Sequence, residues 1–241
     1  MTKLLLYDIM IIVKNRKDLI PLEKHYYLVI DTETANSLDC PIVYDIGGAV
    51  IDKKGNVYET FSFVIYDTYV LMKDLMQTAY YKDKMPRYEQ DLKDGKRRLV
   101  QFTTAKKHIK ALCEKYNIKA VMAHNARFDN ISTKTTIRYL TKSKSRYFLP
   151  YNIPIWDTLQ MAKDTIAKQK TYIAYCKENG YMLKNGTPRL TAEILYRFIS
   201  HNTNFIESHT GLEDVLIEKE IFVRCVKQHK KMQRTYWKET A

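Results

Sequence analysis

Tyr26-Tyr27-Leu28-Val29-Ile30-Asp31-Thr32-Glu33-Thr34 is the stretch from which the rest of the chain can be read. Its first five residues are aromatic or apolar and include two β-branched side chains. The run is short and dense in strand formers, which predicts a buried β-strand. Side chains two apart on a strand share a face. Asp31 and Glu33 therefore point the same way, just beyond a buried run. Two carboxylates held that close repel, and each loses hydration. A divalent cation between them removes the cost, and hard oxygen donors suit Mg²⁺ or Mn²⁺. The competing reading is a strand that simply ends in a polar turn.

The composition narrows the partner. The 241 residues carry 40 Lys and Arg against 27 Asp and Glu, a formal charge of +13. An excess of that size points to a polyanion, with nucleic acid ahead of an anionic membrane surface. The chain is 45% hydrophobic, enough for a sizeable core. Its 19 tyrosines offer surfaces for base stacking. Cys40, Cys113, Cys176 and Cys225 are scattered, without zinc-ligand spacing, and fit reduced thiols in a cytoplasmic protein. The apolar run Leu4–Val13 is short and broken by Asp8, its charges follow rather than precede it, and no small-residue cleavage site is evident, which argues against a membrane span and against a leader.

Residues 1–25 read as an appended segment, and 26–241 as one domain. Strands are expected at 26–32, 42–51 and 57–65, linked briefly enough for an antiparallel meander. Residues 69–81 have helical spacing, and the charged stretch 82–98 reads as a loop. An amphipathic helix over 102–116, capped by Thr103 or Thr104, opens a helix–strand alternation. A strand at 118–123, a helix at 131–141, a strand at 153–156 and helices at 157–168, 190–201 and 211–237 continue it. Two stretches, about 67–100 and 170–189, read as insertions.

Two further motifs carry candidate chemistry. His124-Asn125-Ala126-Arg127-Phe128-Asp129 begins where the 118–123 strand ends, and ligand sites of α/β sheets gather beyond strand ends. Asp129 or Asn125 could equally cap the next helix. His209-Thr210-Gly211-Leu212-Glu213-Asp214 is the other. Five residues on a regular helix would separate His209 from Asp214 by roughly 140°. Gly211 suggests instead that His209 lies in the loop before the helix and Asp214 in its first turn. An exposed histidine and a dipole-favoured aspartate is the simpler reading of that motif. Asp157 is read as an N-cap rather than a further site acid.

In order, the three motifs are D-x-E, H-N-x-x-F-D and H-x-x-x-x-D. The set resembles the DEDD exonuclease superfamily, and within it the DEDDh (DnaQ-like) branch that includes the proofreading subunit of bacterial DNA polymerase III. The resemblance implies a ribonuclease H-like α/β fold: a mixed sheet of three antiparallel strands followed by parallel strands, flanked by helices. It implies that Asp31, Glu33, Asp129 and Asp214 hold two divalent cations, Mg²⁺ or Mn²⁺, and that His209 is the general base. His124 is the rival base, read as ordering the turn after its strand. Thr32, Thr34, Asn125 and Phe128 become candidate substrate contacts. Two positions depart from the family's form: Ala35-Asn36 follow Thr34, and Gly211 stands where the family usually has Ala.

The implied activity is 3′–5′ hydrolysis of phosphodiester bonds, preferably at single-stranded DNA ends, releasing nucleoside monophosphates. An exoribonuclease or oligoribonuclease is the alternative enzyme. A catalytically silent nucleic-acid-binding module is the alternative of another class, though binding alone does not require clustered acids. The length leaves no room for a polymerase domain, so a polymerase would be a separate partner; no membrane is expected. The basic excess would track phosphates, with Lys96-Arg97-Arg98, Lys106, Lys107, Lys142, Lys144, Arg146 and Lys227–Lys231 as candidates.

Overall fold

In the computed structural model, residues 24–141 and 144–237 are described. The segment 1–23, most of the expected appended element, and Lys142 lie outside the described residues. A six-stranded sheet organises the chain, in the order β4-β3-β2-β1-β5-β6. Strand β1 is Tyr26–Ala35, β2 Ile42–Asp52, β3 Val57–Ile65, β4 Arg98–Val100, β5 Ala120–Ala123 and β6 Ile155–Asp157. Strands β1, β2 and β3 pair antiparallel. Strand β5 then pairs parallel with β1, and β6 with β5. This is the mixed sheet that the resemblance implied.

Both faces of the sheet are covered. The helices are α1 (Tyr66–Tyr69), α2 (Lys73–Met76), α3 (Met85–Lys93), α4 (Phe102–Lys115), α5 (Ala126–Leu140), α6 (Thr158–Asp164), α7 (Lys170–Glu178), α8 (Ala192–Ser200) and α9 (Gly211–Val226). Leu28 and Ile30 pack with Ile109 of α4 and Ile137 of α5. Tyr27 and Val29, one residue out of phase, pack with Met161 of α6, Leu195 of α8 and Phe222 of α9. The period of two sends Asp31 and Glu33 to the second face, toward α9.

Several expectations need correction. Residues 82–98 are not a loop: α3 lies there, and Arg98–Val100 adds an edge strand parallel to β3. The reason is two buried anchors, Tyr88 and Arg97. Residues 69–81 form no single helix but follow α1 with the short turn α2. Gln101 is the N-cap of α4, and Asp67 accepts from the Phe102 N–H, a cap supplied from outside the helix. Within the 170–189 insertion, α7 buries Tyr172 and Cys176 in the core. Finally, α9 ends at Val226 rather than Trp237. His229 adopts φ 51°, and the tail turns back so that the Asp157 N–H donates to Arg234 O, shielding the β6 edge.

Candidate metal and nucleic-acid site

A cavity of about 860 Å³ opens at the ends of β1 and β5, lined by Asp31, Glu33, Asp129, His209 and Asp214. Three distant segments meet there because α9 starts directly on the sheet. Gly47 of β2 is the cross-strand partner of Asp31. A Cβ on Gly47 would stand 2.1 Å from Gly211 C, and one on Gly211 would stand 2.5 Å from Gly47 N. The two glycines thus let backbone meet backbone, which brings Asp214, in the first turn of α9, over the β1 end. The Gly211 departure from the family pattern has a steric cause in Gly47.

Asp31, Glu33 and Asp214 each bring a carboxylate oxygen within 4.8 Å of the others, a group able to hold a metal ion. Asp129, in the first turn of α5, accepts a 2.8 Å hydrogen bond from Thr32 Oγ1. Asp214 accepts from the Thr210 N–H at 2.9 Å. Asp31 Oδ2 is sealed from solvent without a hydrogen-bond partner. Burial pushes Asp31 well above the ordinary carboxylate range, helped by Glu218, Glu33, Asp129 and Asp214. Burial, then Asp45 and Asp214, raise Glu33 to about 9. Burial raises Asp214 to about 8, with Glu207 adding to it. Asp129 rises to about 7 through burial, against the Thr32 hydrogen bond. The charges around Asp31 are all other carboxylates. An all-oxygen donor set in need of positive charge fits a hard divalent cation.

His209 lies before α9 with φ 51°. Its ring stacks on Tyr81 at 4.2 Å, and its Nδ1 lies 3.9 Å from Glu207 Oε2. Burial and the nearby Lys84 charge lower its pKa, which keeps the imidazole neutral and able to accept a proton. Both nitrogens of His124 are engaged, Nδ1 with Thr158 Oγ1 at 2.9 Å and Nε2 with Leu190 O at 2.8 Å. Neither is free to serve as a base. Asp157 caps α6 through Leu159 N–H and also accepts from Asn125 N–H.

Among the candidate substrate contacts, Asn125 and Phe128 line the cavity, while Thr32 is buried against Asp129. Thr34 does not line it and sits past a bulge in the ladder. Of the basic candidates, Arg97 is not on the surface: it is 3% exposed and bound to Asp45, Asp91 and Glu213. The sequence reading missed Glu207, Glu218 and Tyr81, which reach the same site. The four-residue step from Asp214 to Glu218 was a legible signal, since such residues share a helix face.

No protein-family model matches the sequence, and no curated protein sequence matches it. Solved structures do. Exonuclease I of E. coli, in complex with a dT13 oligonucleotide, superposes at a TM-score of 0.52 and 15% identity over 86% of this chain and 41% of that one. Exonuclease I of Methylocaldum szegediense gives a TM-score of 0.47 at 18% identity over 86% and 41%. The likeness to the E. coli structure establishes the ribonuclease H-like α/β fold. The chain spans about two fifths of the length of these exonucleases.

Proposed function

We propose that the chain is a metal-dependent 3′–5′ exonuclease of the DEDDh type, acting on single-stranded DNA. The observation that carries the reading is the convergence of Asp31, Glu33 and Asp214, with Asp129 and His209, on one cavity. Pure nucleic-acid binding would not bring unpaired acids together inside a strongly basic chain. The dT13 oligonucleotide held by the E. coli neighbour supports DNA as the substrate.

Asp31, Glu33, Asp129 and Asp214 would hold two Mg²⁺ or Mn²⁺ ions. Such a pair, when bound, neutralises the phosphate and stabilises the leaving 3′-oxygen. His209 takes a proton from the attacking water, and its stacking on Tyr81 fixes the ring plane. Thr32 holds Asp129 in orientation through its hydroxyl. Phe128, on the cavity wall, offers a face for the terminal base. Exposed Lys107, Lys144, Arg146, Lys230 and Lys231 supply phosphate attraction that weakens with salt.

The test uses 3′-labelled and 5′-labelled DNA and RNA strands with Mg²⁺, with Mn²⁺ and with EDTA. The expected result is mononucleotide release from the 3′ end of DNA, abolished by EDTA. Cleavage that survives EDTA, or internal cuts alone, would contradict the reading.

A further inference from the structure

We propose that Glu218 is a fifth carboxylate of the metal site, helping Asp31 to hold the cation, and not a structural residue of α9. The proposal rests on the exonuclease reading above and assigns a residue outside its three motifs. Glu218 lies one helical turn beyond Asp214 and lines the same cavity. It is 3% exposed. Its Oε2 is sealed from solvent and has no hydrogen-bond partner, as is Asp31 Oδ2.

A buried acid is normally paired, because an uncompensated charge in the interior is costly. Glu218 sits in mid-helix, so it caps nothing. The charges that act most strongly on it are Asp129, Asp214 and Glu207, all negative. Glu218 is in turn the charge that acts most strongly on Asp31. Two unpartnered oxygens on residues that line one cavity need the same thing, a cation or the water bound to it. Hydrogen-bonding residues around a metal typically change its affinity by about 10- to 100-fold.

The test titrates MnCl₂ into the full chain by calorimetry, for the wild type, Asp31→Asn and Glu218→Gln. Glutamine keeps the shape but removes the charge. Glu218→Gln is expected to weaken Mn²⁺ binding by about 10- to 100-fold. In EDTA it is expected to melt no lower than the wild type, since it loses only an unpaired charge. Binding within about twofold of the wild type would overturn the proposal, by the same scale. Unfolding of Glu218→Gln in EDTA would overturn it too, by marking the residue as structural. A wild type that binds no Mn²⁺ would sink the exonuclease reading itself. Weakened Asp31→Asn with unchanged Glu218→Gln would sink only the present proposal.

Discussion

Asp45 and Glu33 stand opposite each other on the β1–β2 ladder, yet they belong to two different kinds of acidic interior. On one side of the α9 start, Asp45 Oδ2 accepts from Tyr88 Oη at 2.6 Å, from Gly211 N–H at 2.9 Å and from Arg97 at 3.4 Å. Arg97 continues to Asp91 and Glu213. On the other side, Asp31, Glu33, Asp214 and Glu218 line one cavity; Asp214 accepts from Thr210 N–H and Ser208 Oγ, but the charges acting on all four are other carboxylates. The first group brings its own cation and is architecture. The second has none among the described residues, which is what the proposed metal site requires. The 67–100 insertion serves both, because Arg97 and Tyr88 hold the α9 start while Tyr81 stacks on His209.

The contrast is tested most strongly at Asp31. Asp31→Asn should lower exonuclease turnover by about 10³-fold or more, the size of losing several kcal/mol of charge stabilisation, with the fold intact by circular dichroism. Preserved turnover would erase the distinction. Arg97→Met should do the reverse: it strands Asp45 inside the protein and should cost roughly 3 kcal/mol or more of stability in denaturant unfolding. Pairing it with Asp45→Asn should recover part of that loss, and no recovery would mean the network is not what holds α9.

His209→Ala should slow turnover by about 10²-fold while Mn²⁺ affinity changes little. A matching loss of Mn²⁺ affinity would move His209 from base to ligand. Gly211→Ala, the family's usual residue, should here cost about 1–3 kcal/mol through the clash with Gly47. A neutral Gly211→Ala would show that the α9 start can shift freely.

The last test needs no variant. In EDTA, Glu33, Asp129 and Asp214 have folded pKa values of about 9, 7 and 8, above their unfolded values. The folded state then binds more protons, so stability falls as pH rises from about 5 to about 9. Each fully titrating group contributes up to about 1.4 kcal/mol per pH unit. Saturating Mn²⁺ should flatten the slope; a flat profile in EDTA would show that these acids are not crowded.

Much of this could be read without coordinates. The run Tyr26–Ile30 forms a strand because its residue types admit little else, and the period of two then aims Asp31 and Glu33 together. The amphipathic pattern of Phe102–Lys115 fixes α4 in the same local way, and the three acidic motifs mark which strand and helix ends carry the candidate site. These are properties of near neighbours, which sequence states directly. Tertiary structure alone decided that α9 meets Gly47, that Arg97 is a buried counter-ion and not a phosphate contact, and that the tail leaves its helix to cover β6. Each depends on which distant group fills the space or supplies the opposite charge, and no spacing along the chain encodes that.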